Sequence, residues 1–278
     1  MYTVIGIGGV GCKVAKCFSA YGQYSILCVD DAPTGWKEQV LVPKQRRPED
    51  YEESFKGLPK AKKDKIKDNV IVVLSGASLV SSISLRMLYQ LRDKSITVLC
   101  IRPEKDLMDV TKSAQERVIF SVLQEYTRSG LFERIYLTSN SEIDKLVEDA
   151  SIKEYYPAIN KMIASVFHMI MVFDHQEAVV SNFSEINEAR RVCTLGILNI
   201  EDGSETKFFS CDNIMDTRLY YGISKDTLNS DKNLQRNIIK LIKDKNEELC
   251  KYSYGVYETQ YNWDFCYAKY FSSKVQDF

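Results

Sequence analysis

The run Gly6-Ile7-Gly8-Gly9-Val10-Gly11 stands between a short apolar strand, Tyr2 to Ile7, and a stretch from Gly11 to Tyr21 carrying Val14, Cys17 and Phe18 at helical spacing. A strand that turns through glycines directly into a helix constrains this chain more than any other feature. Glycine lets the backbone turn sharply and come close to a ligand. The helix N-terminus adds unpaired N–H groups and the positive end of a dipole. In a strand–loop–helix setting the pattern points to a bound phosphate, against the plainer reading of a tight turn with no ligand.

Downstream, strand and helix signals alternate, as in a mostly parallel sheet covered by helices. Tyr24 to Val29, Val40 to Val42, Asn69 to Leu74, Ser95 to Ile101 and Arg134 to Thr138 read as strands. Pro48 is placed to start a helix, and Leu79 to Leu91 and Leu107 to Tyr126 read as helices. The lysine-rich run from Lys56 to Lys67 is interleaved with apolar residues and reads as a solvated helix face. Tyr155 to Phe173 is apolar almost all round, the mark of a helix buried between layers. After Asn182 the texture changes to strands at Leu195 to Ile200, Leu219 to Ser224, Ser253 to Glu258 and Phe265 to Phe271, with an amphipathic helix at Leu234 to Leu249. The expected architecture is α/β: a Rossmann-like domain over residues 1–173, ending in the central helix, and a smaller α+β domain over 174–278.

Composition closes off several classes. The apolar stretch Met162 to Phe173 is shorter than the roughly 20 residues a spanning helix needs, so no membrane segment is expected. No basic region precedes an apolar run at the N-terminus, so no secretory signal is expected. A net charge of −1 offers no general field for nucleic acid or anionic lipid. The eight cysteines show no framework spacing and the chain has two histidines, so reduced thiols, a cytoplasmic setting and no protein metal site are expected.

Different nucleotide families fit the glycine loop. A dinucleotide-binding dehydrogenase would set Asp30 on the ribose hydroxyls. An adenylating enzyme fits Val4 to Asp31, but its downstream basic residues and cysteine cluster are not found. More of the chain resembles the tubulin/FtsZ superfamily, in order and nearly end to end. Gly6, Gly8, Gly9, Gly11, Cys12 and Lys13 resemble its first phosphate loop. Val70 to Gly76, with Ala77 and Ser78, resembles the strand entering the second; Ile96 to Pro103 is similar to the next strand and its proline turn. Ser113 to Arg117 is similar to the helix whose acid meets the ribose, which implies that role for Glu116. Leu137 to Asn140 resembles the loop whose asparagine meets the guanine; Tyr156 and Asn160 fall where FtsZ stacks and hydrogen-bonds the base. These last two are also one helical turn apart, so ring and amide share a face.

Ser181 to Glu188 resembles the loop that FtsZ inserts into the next subunit's site, where two acids position the attacking water; here those positions hold Asn182 and Glu185, with Asp174 and Glu177 as other acids nearby. Ser75 to Ser82 departs from the family's glycine-and-threonine run and keeps only Gly76. The resemblance therefore implies GTP or GDP as ligand, with Mg²⁺ allowed beside it, and a head-to-tail polymer of the chain with itself. GTP hydrolysis would be completed by the neighbour, or lost in a structural relative of the GTPases.

Overall fold

The computed structural model describes residues 1–147, 149–245 and 250–277. By internal contacts the chain divides into one unit of Met1–Ser165 with the residues from Val275 onward, and a second of Val166–Lys274.

The first unit is built on strands that are apolar on both faces, as parallel strands covered by helices must be. In chain order its elements are β1 (Tyr2–Ile7), α1 (Gly8–Cys17), β2 (Tyr24–Asp30), β3 (Gln39–Leu41), α2 (Pro48–Ser54), α3 (Lys60–Lys63), β4 (Asn69–Leu74), α4 (Ser84–Gln90), β5 (Ser95–Arg102), α5 (Val110–Arg128), β6 (Arg134–Ser139) and α6 (Asn140–Ile143). Its strands lie in the order β3-β2-β1-β4-β5-β6, all parallel. The order reverses between β1 and β4. In open α/β sheets such a reversal leaves a crevice at the C-terminal strand ends, where ligands bind. Gly6 occupies that point, paired with Cys28 on one side and Val73 on the other.

Several boundaries differ from the sequence reading for local reasons. Leu79 to Leu91 is not one helix: Leu79–Ile83 is a 3₁₀ turn that leads into α4. Serine hydroxyls compete with the helical ladder there, Ser81 Oγ donating to the Ser75 carbonyl at 2.6 Å and Ser82 Oγ to Leu79 at 2.5 Å. α5 begins at Val110 because the Asp109 carboxylate caps it, accepting from Lys112 N–H at 2.8 Å. Of the lysine-rich run only Lys60–Lys63 is helical; Lys62 and Lys65 extend to Glu38 at 2.5 and 3.3 Å. The C-terminal residues return to this unit, where Gln276 N–H donates to Gln124 Oε1 at 2.7 Å.

α7 (Tyr155–Phe173) begins in the first unit and ends in the second. It extends the apolar stretch toward its N-terminal side to 19 residues, long and apolar enough by length and composition to cross a membrane; half of it is buried inside the protein.

The second unit continues with β7 (Val180–Ser181), β8 (Val192–Leu198), β9 (Glu205–Lys207), β10 (Ile214–Ser224), α8 (Lys225–Ser230), α9 (Leu234–Lys245), β11 (Lys251–Thr259) and β12 (Phe265–Ser272). The helix expected to run to Leu249 is described as far as Lys245, and its remainder lies outside the described residues. This sheet is mixed, in the order β8-β12-β10-β11-β7, with β10 and β11 parallel and the other pairs antiparallel. Ile238 and Ile242, four apart on α9, bury against Leu219, Tyr221 and Val256. All eight cysteines are free thiols.

Candidate functional site

At the sheet crevice of the first unit lies an open cleft of about 270 Å³. Lys13, Ala77, Asn140, Tyr156 and Asn160 all line it. They reach it from α1, the loop after β4, the start of α6 and the first turns of α7. Tyr156 is 45% exposed and meets the Tyr155 ring edge-on, with centroids 5.0 Å apart. Asn140 is only 7% exposed, yet it stands on the cleft wall with no hydrogen bond from its amide among the described residues.

The glycines around α1 divide by task. A Cβ on Gly11 would overlap the Val73 carbonyl, and one on Gly6 would lie 2.7 Å from the Cys12 Cα. Both are therefore required for the helix to sit against the sheet. Gly8 has φ +69°, a conformation that side chains rarely adopt, and the Ser78 hydroxyl fills the space where its Cβ would be. Gly9 is exposed, with Asp30 Oδ2 4.0 Å from its Cβ position. α1 has no side-chain cap and no acid in its first turn, so its N–H groups and dipole are free to meet an anion.

Cys12 is 2% exposed, donates to the Gly6 carbonyl at 3.3 Å and does not line the cleft. Its hydrogen bond with Cys28, together with burial, holds the thiol far above its ordinary range. Burial raises the Asp30 carboxyl, with Lys13 and Lys16 nearby opposing the rise.

No sequence-family model and no curated protein matches the chain. Solved structures do. TubZ of Bacillus thuringiensis serovar israelensis, in GDP-form protofilaments, superposes with a TM-score of 0.69 at 14% identity, over 99% of this chain and 88% of TubZ. CetZ1 from Haloferax volcanii, a GDP-bound monomer, gives 0.66 at 16% identity, over 99% and 95%. FtsZ of M. jannaschii, an empty dimer, gives 0.59 at 11%, over 98% and 88%. The chain has a tubulin/FtsZ-like fold.

Within that fold the second loop is bound up with itself. The Ser75 carbonyl takes both the Ser78 N–H, at 3.2 Å, and the Ser81 hydroxyl, while Gln115 Nε2 holds the Ser78 carbonyl at 2.6 Å. The Ser81 and Ser82 hydroxyls are thus committed to the loop backbone, and Ser78 Oγ remains beside Gly8. Gly76 packs on α5, its Cβ position 3.1 Å from the Glu116 Cα. Glu116 is not brought to the cleft. It is 1% exposed, with Oε1 3.4 Å from Arg102 Nε. Burial raises its carboxyl to about 7 against the opposing charge of Arg102.

The other two predicted residues belong to the second unit. Asn182 is engaged at both ends: its N–H donates to the Tyr254 carbonyl at 3.0 Å, and its Oδ1 accepts from Tyr254 N–H at 2.7 Å. It extends the short β7–β11 pairing by one side chain. Glu185 is exposed and follows Ser184, whose carbonyl accepts from Arg218 Nη2. Asp174 holds Lys269 at 2.7 Å and accepts from the Tyr220 hydroxyl at 2.7 Å. Burial pushes its carboxyl up, and these two partners more than offset that, leaving it below the usual value.

Sequence reasoning missed Val10, Pro103, Glu104, Leu107, Met108 and Lys112, which complete the cleft lining. The available signal was positional: Pro103 and Glu104 leave the C-terminal end of β5, on the edge where the crevice opens. Among the described residues no group of three or more His, Cys, Asp or Glu side chains forms a metal cluster.

Proposed function

We propose that the chain is a guanine-nucleotide-binding protein that assembles head-to-tail with itself. The observation that carries this reading is the meeting of Lys13, Asn140, Tyr156 and Asn160 in one cleft at the sheet crevice, beside an uncapped glycine-opened helix. Donor chemistry and cleft fit the ligand class: an exposed aromatic ring, two amides with no hydrogen bond among the described residues, and lysine charge. Tyr156 would stack the base, and Asn140 and Asn160 would read its edge. Gly8, Gly9 and Lys13 would hold phosphate oxygens, with Lys112 adding charge from α5. The nucleotide would supply the phosphoanhydride, and any Mg²⁺ would come bound to its phosphates.

The solved relatives support both parts of the reading. TubZ is described in GDP-form and GTPγS-form protofilaments, and CetZ1 as GDP-bound. In the proposed assembly the cleft of one copy faces residues 174–188 of the next, a heterologous contact that generates open filaments or rings.

Turnover is the part that the chain equips least. Asn182 stands where a water-positioning acid is expected, and its carbonyl oxygen is already held by Tyr254. Glu185 is then the carboxylate left to orient water. That commitment of Asn182 favours a second reading, nucleotide-dependent assembly without hydrolysis. Sedimentation with GTP against a nucleotide-free control tests assembly, and phosphate release against protein concentration separates the readings. Release that rises with concentration and falls in Glu185→Ala supports the GTPase; assembly without release supports the second; no sedimentation under either condition removes assembly.

A further inference from the structure

Glu104 is the acid of the cleft, and the glycine-loop reading gives it no task. It follows Pro103 at the end of β5 and lines the cleft with Tyr156, Asn140 and Asn160. Its carboxylate makes no hydrogen bond or ion pair among the described residues, and neither do the two amides. Its charge is felt at the Tyr156 ring, whose hydroxyl is pushed up by burial and then by Glu104. Carboxylate and ring line one cleft, and the charge reaches the Tyr156 hydroxyl. A half-buried acid in the same cleft as an exposed aromatic ring is poised for donors on whatever stacks there.

The proposed purine ligands differ at that edge. Guanine presents one acceptor, O6, followed by two donors, N1–H and the exocyclic N2–H. Adenine presents a donor next to the N1 lone pair. A carboxylate only accepts, through two oxygens, so it matches adjacent donors and repels a lone pair. An amide cannot match both guanine donors, because one of its ends is itself a donor.

We infer that Glu104 is the specificity-determining residue of the cleft, its two carboxylate oxygens accepting from N1–H and N2–H of a guanine stacked on Tyr156, with Asn140 or Asn160 donating to O6. This rests on the nucleotide reading above and deepens it, since it says why the base is guanine. Discrimination comes from both directions: guanine gains two charge-assisted hydrogen bonds, and adenine meets an unpaired acceptor against an acceptor.

The test is a calorimetric titration of the whole chain, and of Glu104→Gln and Glu104→Ala, with GDP, IDP, ADP and 2′-deoxy-GDP. Inosine keeps N1–H and lacks the N2 amino group. The parent chain is expected to bind GDP about tenfold or more tighter than IDP, the scale of one hydrogen bond to a charged group. ADP is expected to bind more weakly still. In Glu104→Ala GDP and IDP should bind alike, because the acceptor for N2–H is gone; in Glu104→Gln, whose amide keeps one acceptor beside a donor, the GDP/IDP ratio should fall below that of the parent. Variants that keep the parent GDP/IDP ratio overturn the inference and leave the nucleotide reading standing. A ratio that moves only for 2′-deoxy-GDP assigns Glu104 to the ribose and also overturns it. Variants that weaken GDP and IDP by the same factor, so that the parent ratio survives at lower affinity, show a general binding role, which overturns it as well. A parent chain that binds ADP as well as GDP removes the nucleotide reading itself.

Discussion

Tyr156 and His168 lie on the same helix and illustrate what exposure does to a side chain. Tyr156 is 45% exposed on the cleft, within reach of a ligand there. Tyr156→Ala should weaken GDP binding by about 1–3 kcal/mol, the scale of base–aromatic stacking, while Tyr156→Phe should keep most of it. Titration calorimetry on the two variants reads the difference. His168 is 6% exposed, and burial lowers its imidazole to about 4 from 6.5. The folded chain therefore keeps it neutral where the unfolded chain takes up a proton. The stability this provides is complete above pH 6.5 and is lost as pH falls through the window toward 4. The full loss is about 3 kcal/mol at 1.36 kcal/mol per unit. Glu116 works the other way, since its raised carboxyl lets the folded chain hold a proton longer as pH rises. Urea midpoints at neutral and acid pH should thus fall less on acidification in His168→Gln than in the parent, whatever the slope contributed by Glu116.

Elements show which glycines serve the fold and which are left for a ligand. Gly11→Ala would drive a methyl into the Val73 carbonyl, backbone that cannot rotate away. It should lower stability by about 1–3 kcal/mol, the usual cost of overpacking, in a thermal melt without nucleotide. Asn182→Ala would free the Tyr254 N–H and cost about 1–2 kcal/mol by the same measurement. The parallel strands were legible in the sequence because β1, β4 and β5 are continuous apolar runs that only a doubly covered strand explains. α7 was legible to its last residue for the same reason. The start of α4 was not, since Ser81 and Ser82 choose their backbone partners only once Ser75 is in place. The glycine loop looks the same in sequence whether a glycine admits a phosphate or a neighbouring strand; only the positions of Val73 and Ser78 tell Gly11 from Gly8. Glu116 was read as facing a ligand because its helix position fits, but Arg102 arrives from β5 to bury it. Glu104 carries no motif, and its role is visible only where β5 ends beside α7.

In the whole molecule a tubulin/FtsZ-like fold carries a cleft lined by an exposed ring, two asparagine amides and lysine charge. The fold is shared with TubZ at 14% identity over 99% of the chain, so one architecture accommodates two sequences that differ at most positions. Head-to-tail assembly predicts that Glu185→Lys, a charge reversal on an exposed loop position, reduces sedimentation with GTP and leaves the melting temperature of the unassembled chain unchanged. An unaltered sedimentation profile would place the contact elsewhere. The central claim is that the cleft lined by Lys13, Asn140, Tyr156 and Asn160 holds a guanine nucleotide. Its most direct test is to denature the freshly purified chain in acid, separate the released small molecules by anion exchange and identify the nucleotide by mass. GDP or GTP should be released in amounts equimolar with the protein; NAD or an adenine nucleotide in that place would rule the guanine site out.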